Sequence, residues 1–156
     1  NPLALADHVS GFSVGAFTAR EAVYVFFDMQ CPHCATLWAA AKPLWRDSSR
    51  LRFVWVPVAV LNRASLAQGA TILASPSPQV VMEEHKESLL ARRGGISADS
   101  AALERFGERV KRNSDVLRAM GVQSVPHLVA RHAVTGQVVT HTGALPTEQL
   151  RELLGV

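Results

Sequence analysis

The sequence predicts an α/β fold in which a β-α-β unit and a β-β-α tail flank a helical insertion. Three observations carry this prediction. Ala22–Phe27 and Leu51–Val60 are apolar runs rich in β-branched and aromatic residues, and read as strands buried on both faces. Ala35–Trp45, between them, has apolar residues at helical spacing. Strand signals then vanish for about sixty residues and return around Thr135-Gly136, a hairpin turn. A chain of 156 residues, 48% apolar and 19% charged, can bury a core of this kind.

The elements follow in order. Residues 1–21 are set apart as an N-terminal segment, and the predicted domain runs 22–156. In that segment Leu3, Leu5 and Ala6 fit a short helix, and Gly11–Thr18 fits an edge strand. After the first central strand, Pro32 suits the first turn of a helix, where its missing N–H costs nothing. Leu37, Trp38, Ala41 and Trp45 share one face of that helix, and Pro43 is expected to kink or end it. The second central strand follows closely, which favours a right-handed parallel unit.

The stretch from about 62 to 121 reads as helical. Leu66–Ala74 and Gln79–Ala91 are separated by Ser75-Pro-Ser-Pro78, and Gly94-Gly95 forms a joint. Ala101–Lys111 and Val116–Met120 read as two further pieces, with Asn113 capping the last and Gly121 in a left-handed C-cap. Alone, this block is either a separate module or an insertion. Strands on both sides make it an insertion. Leu128–Ala133 and Gln137–Thr142 form the hairpin, and Pro146-Thr147 opens a last helix with Leu150, Leu153 and Leu154 on one face. Trp38, Trp45 and Trp55 are expected as core or groove walls, and His8, His85, His132 and His141 at the surface.

Composition excludes several classes. The 16 basic residues against 13 acidic ones leave a charge of +3, and the longest basic runs are pairs, Arg92-Arg93 and Lys111-Arg112. That is a solvated surface, and no nucleic-acid partner is expected. The longest strongly apolar run, Ala22–Phe27, is far shorter than the ~20 residues that span a membrane. Two cysteines exclude a multi-bridge disulfide scaffold and a four-cysteine zinc site. The sequence opens at Asn1 with no leader ahead of the fold, so the compartment is inferred from the chemistry.

That chemistry centres on Cys31-Pro32-His33-Cys34, at a strand–helix junction, which reads as a thioredoxin-like redox motif. Two intervening residues in a first helical turn bring the sulfurs within disulfide range. Cys31 sits at the helix N-terminus, where free N–H groups stabilise a thiolate, so it is the nucleophile and Cys34 the resolving thiol. His33 can lower the Cys31 pKa by a hydrogen bond or a positive charge. Met29 and Gln30 line the approach to Cys31 and are candidate substrate contacts, a turn role being the alternative. Asp28 has two readings: its charge raises the thiolate pKa, or it caps the loop. Ser124-Val125-Pro126 opens a strand beside the expected site. Most X-Pro bonds are trans, but together with the C-x-x-C and the element order Pro126 is a candidate cis-proline. His127 faces the dithiol, points to solvent or packs in the sheet. The blander readings of the pair are a structural disulfide or half of a metal site. Only His33 and His127 are nearby ligand types, so no metal is expected, and no cofactor beyond the redox-active disulfide.

Taken together, these features resemble the bacterial periplasmic Dsb thiol-disulfide oxidoreductases, in particular the catalytic domain of the DsbG/DsbC group. The residues that carry the likeness are Tyr24-Val-Phe-Phe-Asp28 before C-P-x-C, Trp38, Pro43, Ile72-Leu-Ala-Ser75, Leu117-x-x-Met-Gly121 and Gly143-x-Leu-Pro146. The likeness spans roughly residues 22–154, insert included. Two departures stand out. The chain has no room for that group's dimerisation domain, which implies a monomer. His33 and Val125 replace the Tyr and Thr typical there, and CPHC with Val-Pro is the pattern of the oxidase DsbA. The resemblance implies a thioredoxin-like fold, a cis-Pro126 that with Val125 presents backbone groups to a peptide, and an oxidising Cys31–Cys34 pair. It also implies cysteine-containing substrate proteins, a membrane redox partner and a periplasmic location. The alternatives are a reductase of sulfenylated cysteines, an isomerase, or a chaperone-like module in which the dithiol is incidental. A glutathione-using enzyme is disfavoured by the position of CPHC and the C-terminal hairpin.

Overall fold

A computed structural model of the chain describes every residue except Arg20 and Ser49. The elements are α1 (Pro2–Ala6), β1 (Phe12–Gly15), β2 (Ala22–Asp28), α2 (Pro32–Asp47), β3 (Arg52–Val58) and α3 (Arg63–Ala74). They continue with α4 (Pro78–Leu90), α5 (Ser100–Ala119), β4 (His127–Arg131), β5 (Val138–Thr142) and α6 (Thr147–Leu154). One sheet has the order β1-β3-β2-β4-β5. β2 and β3 are parallel, with Tyr24 opposite Val54, and the other pairs are antiparallel. β1 lies along the edge of β3, so the sheet takes in part of the segment that the sequence sets apart as 1–21. α3, α4 and α5 fall between β3 and β4 in the chain.

The period of two in β2 sorts its side chains to opposite faces. Val23, Val25 and Phe27 meet the cluster built by α2, α4 and α6, while Ala22 and Phe26 meet the cluster under α5. Both faces are covered, which is why β2 and β3 read as continuous apolar runs rather than alternating ones. Trp38, Trp45, Trp55, Phe27 and Phe53 pack in the first cluster, edge-on or tilted except for the stacked Phe53 and Trp55, with Trp38 and Trp45 centroids 4.8 Å apart and Trp38 and Trp55 5.0 Å apart. Each aromatic ring so buried contributes roughly 2–3 kcal/mol before the cost of ordering it.

Two elements differ from expectation. Helix α2 runs through Pro43 to Asp47 without ending there. The carbonyl that Pro43 leaves unpaired belongs to Ala39, an exposed residue, and Leu44 and Trp45 beyond it are buried in the core. Their burial offsets the roughly 3 kcal/mol that an interior proline costs. α5 is one helix, and Asn113 lies inside it rather than capping a second piece. Its Nδ2 donates to the Ser10 and Pro57 carbonyls, both at 2.8 Å, and its Oδ1 accepts from the Ser10 amide at 2.9 Å. Ser114 accepts from the Ala59 amide at 2.9 Å. Asn113 thus serves a distant loop and strand β3, while the Ser114 hydroxyl accepts from a distant amide and also donates to the Val110 carbonyl of its own helix at 3.2 Å.

Candidate active site

β2 delivers the site. It ends at Asp28, and the Cys31 amide donates back to the Asp28 carbonyl at 3.0 Å, closing a β-turn through Met29 and Gln30. Cys31 is then the N-cap of α2, with extended backbone, Pro32 in the first turn and its Sγ accepting from the Cys34 amide at 3.1 Å. Both cysteines are free thiols, Cys31 4% exposed and Cys34 fully buried. Cys31 is thus only slightly more exposed than Cys34.

The electrostatic contrast between the two is larger. The hydrogen bond from the Cys34 thiol, helped by the Cys34 and His33 amides, holds the Cys31 pKa below the ordinary thiol value against burial and the charge of Asp28. Burial, then hydrogen bonding and charge at Cys31, push the Cys34 pKa far up. Of the two thiols, Cys31 is the easier to ionise. His33 acts on Cys31 through its backbone amide; its side chain is exposed and makes no hydrogen bond among the described residues.

β4 brings the second half of the site. It pairs antiparallel with β2, Phe26 opposite His127, so the residues just before β4 lie beside the CPHC turn. The Val125–Pro126 peptide is cis, and the Cys31 thiol points at the Val125 carbonyl at 3.8 Å. Pro126 is buried and Val125 half-buried. His127 packs in the sheet, its Nδ1 2.8 Å from Thr142 Oγ1, and none of its hydrogen bonds among the described residues reaches the dithiol. Burial, and then the neighbouring His141, hold its pKa below the usual histidine value.

Of the three residues around the turn, Met29 departs from expectation, while Gln30 and Asp28 take roles among those expected of them. Met29 is 1% exposed and packed in the core, so its side chain does not line an approach to Cys31. It is apolar two positions before Cys31, and the core claims it. Gln30 faces the helical insert: its Nε2 donates to Gln68 Oε1 at 2.6 Å and to the Gly94 carbonyl at 3.0 Å, and its Oε1 accepts from Asn62 at 3.3 Å. Asp28 is a loop cap: Oδ1 accepts from the Gln30 amide at 2.8 Å and Ser65 Oγ at 2.6 Å, and Oδ2 from the Val60 and Leu61 amides at 2.9 and 3.1 Å. Its charge also bears on both thiols.

The sequence reading missed Ser65, Gln68 and His85. His85 is not at the surface but fully buried, with Met29 and Ile96 as partners. A signal was available, since His85 stands three residues after the buried Met82 on the same helix face. Among the described residues no group of three or more His, Cys, Asp or Glu side chains could hold a metal ion, and no helix is long and apolar enough to cross a membrane.

Comparison with known proteins agrees with this fold. The thiol:disulfide interchange protein DsbG of Pseudomonas aeruginosa is 29% identical over 145 residues, 90% of this chain and 54% of that protein, so the chain spans about half the length of this relative. DsbA2 of Pseudomonas aeruginosa superposes with a TM-score of 0.71 at 20% identity, covering 91% of each chain. A periplasmic thioredoxin-like protein from Salmonella enterica serovar Typhimurium superposes equally well, TM-score 0.71 at 15% identity, over 97% of this chain and 94% of that one. The pattern of one family, the thioredoxin-like domain, matches residues 16–155, nearly the whole length. The chain belongs to the thioredoxin-like domain family.

Proposed function

We propose that this domain is a protein thiol-disulfide oxidoreductase that exchanges disulfides with cysteine-containing proteins through Cys31 and Cys34. The observation that carries the reading is the asymmetry of the pair: a Cys31 thiol lowered in pKa at a helix N-terminus, and a buried Cys34 raised in pKa beside it.

In the donating direction, a substrate thiolate attacks Sγ of Cys31 in the Cys31–Cys34 disulfide. The S–S bond breaks, a substrate–Cys31 mixed disulfide forms, and Cys34 leaves as a thiolate that takes up a proton. A second substrate thiolate then attacks the substrate sulfur of the mixed disulfide. Cys31 leaves as a thiolate, and a leaving group of lower pKa departs faster. Two electrons have passed from the substrate dithiol to the pair. Val125 and Pro126 present backbone groups beside Cys31, where an extended peptide can add as a strand. Pro32 and His33 form the outer wall of the motif.

A stabilised Cys31 thiolate favours the reduced pair, so net donation of disulfides is the direction we assign. The reduced pair is then reoxidised by a membrane redox partner, and the setting is the periplasm. Equilibration with glutathione tests the direction: we expect a potential well above that of thioredoxin, and a value near about −270 mV rules out net donation. The Cys31→Ala, Cys34→Ala double variant tests the activity itself. Full activity of that variant in the reduction of insulin would leave only a binding function.

A further inference from the structure

The exchange steps leave His85 unused, although it is fully buried and hydrogen-bonded at both ring nitrogens. It stands on α4, in the helical insert. Its Nε2 lies 2.5 Å from the Met29 carbonyl oxygen, and its Nδ1 is 3.0 Å from the Ile96 amide nitrogen. A carbonyl only accepts and an amide N–H only donates, so the ring is neutral with its proton on Nε2. Burial holds its pKa below the usual histidine value, against the opposing pull of the Met29 carbonyl and Asp28. Gly95, at φ +89°, closes over the ring so tightly that a β-carbon there would strike the imidazole.

The Met29 carbonyl belongs to the central peptide of the Asp28–Cys31 turn. That peptide is the unit that rotates when a turn changes between types I and II. Here both its ends are held. His85 holds the carbonyl, and the Asp28 carboxylate holds the Gln30 N–H at 2.8 Å. The carboxylate is itself anchored to the insert by Ser65 at 2.6 Å, and the Gln30 side chain adds a tether to Gln68 at 2.6 Å.

We infer that His85 is a positioning residue for the dithiol: by holding the Met29 carbonyl it fixes the turn that sets Cys31 against the amides at the start of α2. This deepens the exchange activity proposed above and rests on it. A released turn lets Cys31 drift from the Cys34 and His33 amides. The thiolate then loses hydrogen bonds and the disulfide becomes a weaker oxidant.

The test follows the thiolate absorbance of Cys31 against pH, and the equilibrium with glutathione, in four purified proteins. For His85→Leu we expect the titration to move up by about one pH unit, and the equilibrium to shift about tenfold toward the oxidised protein, about 30 mV. His85→Gln keeps one donor and one acceptor and falls between Leu and the parent. Met82→Ala removes a buried side chain one turn earlier in the same helix and leaves both readouts where they were. Parental values in a folded His85→Leu protein would overturn the inference, and so would an equal shift in Met82→Ala. If His85→Leu does not fold, Gly95→Ala takes its place: it displaces the ring without removing its nitrogens, with the same expectation and the same refutation. A parent protein that never equilibrates with glutathione refutes the exchange activity, whereas a cycling parent with an unchanged variant refutes only the role of His85.

Discussion

Cys31 ionises more readily than an ordinary thiol because the Cys34 thiol and two backbone amides donate to its sulfur, and this outweighs its burial and the charge of Asp28. Asp28 therefore works against the thiolate while holding the loops that shape the site. Asp28→Asn separates these effects. Removing the charge lowers the Cys31 pKa further, which a thiolate titration reads directly. The same change turns one acceptor oxygen into a donor. The Ser65 hydroxyl can rotate to accept, but the Gln30, Val60 and Leu61 amides cannot, so one amide loses its partner. A buried polar group left unpaired costs about 1–3 kcal/mol, so urea unfolding should show a loss of that order. A raised Cys31 pKa in a folded Asp28→Asn protein would mean that Asp28 acts on the thiolate mainly through its hold on the Gln30 amide and not through its charge.

At the scale of elements, α2 and α4 are joined by a polar contact over the aromatic core. Trp38 Nε1 and Lys42 Nζ donate to Glu83 Oε1 at 2.8 and 2.9 Å, and Lys86 Nζ donates to Oε2 at 3.1 Å. Burial raises the Glu83 pKa, but these three donors outweigh it and bring the value down to about 2. Because the folded pKa lies below the unfolded one, the stabilisation is fully present above the unfolded carboxyl pKa, about 4.3, and is lost as pH falls through the folded value. With solvent screening of a half-buried group, its size is about 1 kcal/mol. Urea unfolding should thus find Glu83→Gln less stable than the parent near neutrality and indistinguishable near the folded pKa. An equal gap at both pH values counts against the ionised carboxylate. α5 gives a larger effect. Asn113→Ala strands the Ser10 amide and the Pro57 carbonyl, with an expected loss of about 2 kcal/mol or more, and a loss below roughly 0.5 kcal/mol means those loops are held by other contacts.

At the scale of the molecule, legibility follows the range of the interactions. The sheet was readable because strands buried on both faces are apolar throughout, and CPHC because its chemistry lies within one helical turn. What holds the helical insert to the site was not, because its partners are far apart in the chain: Asp28 and Ser65 by 37 residues, Met29 and His85 by 56, Gln30 and Gly94 by 64. A lone Ser, His or Gln on a helix carries no mark of such a partner. Pro43 and Asn113 misled for the same reason, since local propensity was overridden by core burial and by loops packed from elsewhere. The redox pair couples to this whole structure through a thermodynamic cycle. If the fold stabilises the reduced pair more than the unfolded chain does, the disulfide is oxidising and, by the same free energy, the reduced protein is the more stable form. Each 30 mV of that difference corresponds to about 1.4 kcal/mol. The part carried by ionisation has a definite sign. The folded Cys31 pKa is lowered. Its contribution is therefore complete above the unfolded thiol pKa, about 8.5, and falls away as pH drops through the folded value. Urea unfolding of both forms should find the reduced protein more stable near neutral pH, with the gap narrowing on acidification. An oxidised form more stable than the reduced one near neutrality would contradict net donation of disulfides, and a gap independent of pH would place the preference in packing rather than in the thiolate.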